Sequence, residues 1–273
     1  MTVKLPVIGS SAPDTSYIAV DILAGDCVLH IDGNSKVTVG NGSYAEPAPN
    51  AFSIVNGADC PFRTPTCEAS CYVQGIEEHA GALYQLYKRN SETIRAILPD
   101  ARRSSAAAAY LGRWISEHAA GGFRWHVSGD IFSISYAHWI SMVVRLSPDV
   151  PHWIYTRSFP HLTPLLPLST TRGGNLAINL SCDRDNMWLA RRYAEEHGLR
   201  LCYLVDDSGV VPDLPAGSVL FPDYSLRARG LADAQDSPWW QGLTVAQRQM
   251  VCPVDFFGKS ESMRCGPCKK CLR

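Results

Sequence analysis

The sequence predicts an α/β protein centred on a partial or irregular (β/α) barrel, with an N-terminal β-hairpin and a cysteine-rich C-terminal segment. Three observations carry this expectation. Short apolar runs alternate with helix-period patterns between residues 51 and 230, which implies βαβ units and a parallel sheet. The runs end in polar, chemically capable residues. Ten cysteines occur in 273 residues, although a chain of this length, 46% hydrophobic, needs no disulfides to make up for a small core.

The elements follow in order. Runs 27–31 and 36–39 flank Asp32-Gly33-Asn34, a hairpin signal. A glycine- and proline-rich loop leads to a strand at 51–55, which ends in Asn56-Gly57. Ile76, Ala80, Leu83, Tyr84 and Tyr87 recur at helical spacing and predict a helix over 72–90. A second helix is predicted over 104–120, stopped by Gly121-Gly122. Strands are expected at 123–127, 152–155, 176–180, 200–205 and 218–221, with helices at 136–146 and 186–197. Pro160, Pro164 and Pro167 break the segment between the second and third of these strands. About six parallel strands fall short of the eight of a full barrel, so a doubly wound open sheet competes. The division is an extension over 1–50, a barrel-like domain over 51–230, and a tail over 231–273 packed on the same domain, with a short helix at 245–250.

In parallel α/β folds the site lies at the C-terminal ends of the strands. Just past the runs stand Ser128-Gly129-Asp130, Thr156-Arg157-Ser158 and Ser181-Cys182-Asp183. Such residues also end strands and cap helices, but their recurrence on one rim points to a polar pocket. If Trp125 faces the helices, alternation puts His126 in the mouth beside Ser128 and Asp130. Arg157 is placed to bind an anion or to pair with a rim aspartate. His126, Ser128, Asp130 and Arg157 are the candidate catalytic residues; Asp130, Cys182 and Asp183 are candidates for holding a cofactor.

Seven cysteines fall into two groups. Cys60, Cys67 and Cys71 form C-x6-C-x3-C between the first parallel strand and the following helix. Three soft ligands suit an iron–sulfur cluster with one iron bound by another group, or a zinc site completed from elsewhere. Cys252-Pro253 and Cys265, Cys268 and Cys271, spaced C-x2-C-x2-C, match part of a ferredoxin-type run and equally a tetrahedral zinc site. The two groups can also share one site. Cys27 and Cys202 lie within strand-like runs and read as packed thiols.

The net charge of −1 and the lack of a basic stripe argue against nucleic acid as the main partner. No apolar run is long enough to cross a bilayer, and residues 1–14 lack a signal-peptide pattern, so the cytoplasm is the expected compartment.

The first cysteine loop, the run over 123–133, the run over 153–158 and the Cys-Pro and C-x2-C tail, in that order, resemble the phage-encoded "gene product eighty-eight" family. The resemblance implies a bacteriophage iron–sulfur protein acting in the host cytoplasm on a small molecule or with a host protein partner. More loosely, a three-cysteine loop after the first strand of a parallel barrel is similar to the radical S-adenosylmethionine (SAM) superfamily. By that likeness Cys60, Cys67 and Cys71 hold a [4Fe-4S] cluster whose open iron binds SAM. The loop here is longer than that superfamily's C-x3-C-x2-C, and no Gly-Gly-Glu-like segment follows. A rim carboxylate such as Asp130 is the alternative cap. The leading expectation is therefore redox or radical-type chemistry at one cluster, or at two. Alternatives are a non-enzymatic structural, electron-transfer or redox-sensing cluster, and a zinc protein associated with nucleic acid.

Overall fold

The computed structural model describes residues 2–7, 14–34, 49–79, 81–228, 233, 236–258 and 265–272. Among them a single nine-stranded mixed sheet runs in chain order: β1 (Thr2–Val7), β2 (Asp14–Ala24), β3 (Cys27–Asn34), β4 (Ala51–Phe52), β5 (Phe123–Trp125), β6 (His152–Thr156), β7 (Leu176–Cys182), β8 (Arg200–Val205) and β9 (Val219–Pro222). The first four strands are antiparallel and β4 to β9 are parallel. The order never reverses, so the sheet is not doubly wound. The barrel does not close either: among the described residues the sheet is open. Its first parallel strand, β4, has its other edge taken by antiparallel β3, which leaves β9 nothing there to pair with.

The N-terminal hairpin is real but lies earlier than expected. Asp32-Gly33-Asn34 continues β3, paired with Ala19, Ile18 and Tyr17. The turn is Gly25-Asp26, where Gly25 takes φ +73, between paired Ala24 and Cys27. Two-residue turns with a left-handed glycine match the strand twist, and this outweighs the later Asp-Gly-Asn signal. Residues 36–39 lie outside the described residues.

Over the expected 72–90 helix the described residues form α2 (Tyr72–His79) and α3 (Gly81–Ile97), after a short α1 (Pro65–Ala69). α4 (Ala101–His118) starts at Asp100, whose carboxylate accepts from the amides of Arg102 and Arg103. α5 (Ile134–Arg145) and α6 (Met187–His197) complete the crossovers. The proline-broken segment folds as three 3-10 turns. Beyond β9 come α7 (Pro238–Gly242), α8 (Val245–Met250), α9 (Pro253–Phe257) and α10 (Cys265–Cys268).

Period-two alternation gives the parallel strands two different faces. Phe52, Phe123, Trp125, Ile154, Ile178 and Leu201 enter the core under the helices. There Trp125, fully buried, lies 6.0 Å from the Phe52 ring and 6.2 Å from Trp139 of α5. The opposite face carries Ala51, Trp153, Tyr155 and Ala177, and the tail residues Cys265 and Leu272 pack against it. The tail thus covers the face that the helices leave open.

Candidate functional site: a cysteine-lined cleft

A cleft of about 230 Å³ lies between the strand ends and the tail. Cys60, Cys67 and Cys71 line it from the loop after β4, and Cys252, Cys265, Cys268 and Cys271 line it from the tail. All ten cysteines are free thiols. The two groups, far apart in sequence, therefore meet in one cavity.

The loop is fixed by short-range chemistry. Thr64 caps α1, its hydroxyl accepting from the Cys67 amide at 3.0 Å and donating to Asp183 Oδ2 at 2.6 Å. Pro65 is pre-set for the first helical position. The Thr66 amide donates to Asp185 Oδ2 at 3.0 Å. These bonds fasten the cysteine loop to the turn between β7 and α6. Asn56, at the end of the β4 run, bridges two of the sulfurs: Cys60 Sγ donates to its Oδ1 at 3.6 Å, and its Nδ2 donates to Cys71 Sγ at 3.4 Å.

The rim residues engage one another. Asp130 accepts from the amides of Ile131 at 2.7 Å and Arg157 at 2.8 Å, so both carboxylate oxygens are in use. Arg157 donates to Asp183 Oδ2 from Nη2 at 3.0 Å and from Nε at 3.3 Å. Asp183 is fully buried. Gly129 takes φ +78, and a Cβ there would meet Ile54 at 2.4 Å, so only glycine allows the rim to close on β4. Ser128 is buried in the cleft wall, and its carbonyl accepts from the Ile54 amide. His126 lines the cleft with φ 61, and its Nε2 lies 2.9 Å from the Tyr136 hydroxyl. Burial, with Arg124 adding, pushes its pKa down to about 3, so the ring is neutral.

Of the predicted site residues, His126, Ser128, Asp130, Arg157 and the seven clustered cysteines share this cleft. Asp183 reaches it through Arg157. Cys182 does not: it sits in the helix-side core, its thiol 3.6 Å from the Cys202 carbonyl. Cys202 is buried as expected, yet on the cleft side, within electrostatic reach of Cys271 and Cys252. Sequence reasoning missed Arg124 and Tyr155, and it read Asn56 only as a polar strand end beside Cys60. The alternation that put Trp125 under the helices also signals Arg124 on the other face.

Burial, then Asp130 and the neighbouring cysteines, push the Cys60 thiol up to about 12. Burial also raises Cys67, with Arg157 opposing it. Among the described residues, no three His, Cys, Asp or Glu side chains form a group that could hold a single metal ion. In kind rather than in geometry, the donor set is that of thiolate-bound metal sites: thiols from two segments. The cleft wall also carries Arg63, Arg124, Arg157 and Lys270, whose charges would oppose those of thiolates.

Fold and cleft together define a mixed α/β protein with a thiol-rich cavity at the C-terminal ends of its parallel strands. The chain belongs to the Gene product 88 family, whose model matches residues 28–273. It is 33% identical over 175 residues to the Gene 88 protein of Mycobacterium phage L5, covering 63% of this chain and 69% of that protein. The Gene 88 protein of Mycobacterium phage D29 is 31% identical, covering 63% and 68%. No solved structure matches the chain. Among the described residues no helix is long and apolar enough to cross a membrane.

Proposed function

We propose that this chain is a phage iron–sulfur protein with one-electron redox chemistry in its cleft. Cys60, Cys67 and Cys71 would hold a [4Fe-4S] cluster, and Cys252, Cys265, Cys268 and Cys271 a second centre, of iron–sulfur or zinc. The supporting observation is the convergence of these seven cysteines, from two distant segments, on one cavity lined by cations. A bound cluster supplies a reversible one-electron store. The chain's own residues do the rest. Asn56 sets the places of Cys60 and Cys71, Thr64 fixes the turn that presents Cys67, and Arg157 sets positive charge against Cys67.

A second reading, radical SAM-like chemistry, is favoured by one observation. The loop offers three thiols, one short of the four ligands of a [4Fe-4S] cluster, and the rim carboxylate Asp130 is already held by the Ile131 and Arg157 amides.

The test is anaerobic purification with iron and sulfide analysis, optical absorbance and EPR of the reduced protein. A brown protein with about four irons per loop centre is expected. A colourless protein that takes up only zinc under iron and sulfide reconstitution would sink the iron reading. A change in the EPR signal on adding SAM, with formation of 5′-deoxyadenosine, selects the second reading; no change selects the first.

A further inference from the structure

Arg124 is the middle residue of β5, and its neighbours Phe123 and Trp125 both point into the helix-side core. Its own side chain lies on the cleft side, only 8% exposed. Nε donates to the His126 carbonyl at 3.2 Å and Nη2 donates to the Tyr72 hydroxyl at 3.3 Å. The guanidinium carbon stands 5.1 Å from the centre of the Tyr155 ring. Among the described residues no carboxylate bonds to it; its contacts are a carbonyl, a phenol and a ring. Arg157, by contrast, has Asp183.

Burying a guanidinium is costly unless negative charge faces it, and the carboxylate in electrostatic reach of Arg124, Asp32, is itself pushed up to about 7 by burial. The groups around Arg124 show where that charge enters. Tyr72 directly follows Cys71, and the Tyr155 hydroxyl is hydrogen-bonded to Cys271. Cys265 lies within electrostatic reach of Arg124 itself. Arg124 therefore touches Tyr72, which follows Cys71 in the chain and whose hydroxyl donates to the Val127 carbonyl at 2.6 Å, and Tyr155, which is bonded to Cys271.

We propose that Arg124 is the shared counter-charge of the two cysteine groups, joined to the loop group through Tyr72 and to the tail group through Tyr155. The inference rests on the metal-binding reading above. It makes Arg124 a positioning residue and not a ligand: its positive charge favours the more negative, reduced state of a centre on either side. It also offsets the charge of the tail thiolates where Cys265 and Leu272 close over the sheet.

The experiment compares wild-type protein with Arg124→Lys and Arg124→Gln after anaerobic loading with iron and sulfide. It reads iron and sulfide per chain and the midpoint potentials from a dye-mediated EPR titration, with circular dichroism checking the fold. Arg124→Gln should lower both potentials by a tenfold change in the one-electron equilibrium, about 59 mV, and reduce iron retention. Arg124→Lys should restore most of both. If Arg124→Gln does not fold, Tyr155→Phe replaces it; that variant keeps the ring, loses the bond to Cys271, and should shift the tail centre alone. Unchanged potentials and iron content in a folded Arg124→Gln protein would overturn the proposal; so would a shift confined to one of two iron–sulfur centres or, where the tail holds zinc, a zinc affinity equal to that of wild type. Wild-type protein that takes up no iron counts against the iron reading instead. Arg124 is then judged by zinc affinity in a chelator competition: a tenfold loss in Arg124→Gln supports the shared counter-charge, and equal affinity overturns it.

Discussion

On the helix side of β5, Phe123 and Trp125 pack among Phe52 and Trp139, fully buried and apolar. One residue between them, on the other side of the same strand, Arg124 sits among two tyrosines and the cleft thiols. The first face is complete as folded, since every large group on it is matched by apolar contact. The second buries a guanidinium to which no carboxylate bonds among the described residues, with Asp32 in electrostatic reach, and a thiol pushed far above its ordinary pKa. A single strand thus divides the molecule into a half that stabilises and a half that is built to receive something.

That contrast can be broken at several points. The largest effect is expected on the cleft side. Cys67→Ala should abolish the loop centre, while the unfolding free energy of the metal-free protein stays within about 1 kcal/mol of wild type. Retained iron with unchanged spectra would remove Cys67 from the site. On the helix side, Trp125→Ala should cost about 3–5 kcal/mol by leaving a cavity between Phe52 and Trp139. A urea midpoint close to that of wild type would show that this face is not the main support.

The pH dependence crosses both faces. His126, at the cleft wall, and His152, bonded to Trp125 and Ser147, are each held down to about 3 by burial, against an ordinary value of 6.5. Between those limits the unfolded chain binds more protons than the folded one, so stability falls as pH drops from 6.5 toward 3. Asp32 acts in the opposite sense: burial raises it to about 7, so its contribution is full below its ordinary 3.8 and is lost as pH rises through 7. A urea midpoint that is flat with pH across the histidine window would show that the rings are not buried neutral. The smallest effect is expected at the rim. Gly129→Ala should cost about 1–3 kcal/mol, because alanine is strained at positive φ and its Cβ meets Ile54. A neutral result in thermal unfolding would show that the rim yields without cost.

Much of this was legible in the residues. Apolar periodicity located the parallel strands to within a residue or two for β6, β8 and β9, because each buries both faces and is bounded by turn residues. The polar strand ends and the two cysteine groups could be recognised, since thiol spacing is a local property. Their meeting in one cavity was not legible, because it depends on how the tail crosses the sheet. Nor was the open edge, which follows from β3 pairing with β4 across a long, weakly patterned segment. Cys182 misled because the strand runs two residues past its expected end at 180, so alternation puts Cys182 with Ile178 and Leu180 under the helices. Arg124 escaped notice because a lone arginine in an apolar run reads as an interruption, although Trp125 beside it carried the alternation that places it.

Asn56 gives the loop one more property. A disulfide needs its sulfurs about 2 Å apart in a set torsion, yet Cys60 and Cys71 each rest on a different end of the same carboxamide. To oxidise as a pair, both must first leave it. On the cluster reading proposed above, a loop emptied in air would form this disulfide more slowly than bare thiols at the same spacing. On that reading the amide that arranges the cysteines would also guard their redox state, favouring reloading of the emptied loop over sealing it.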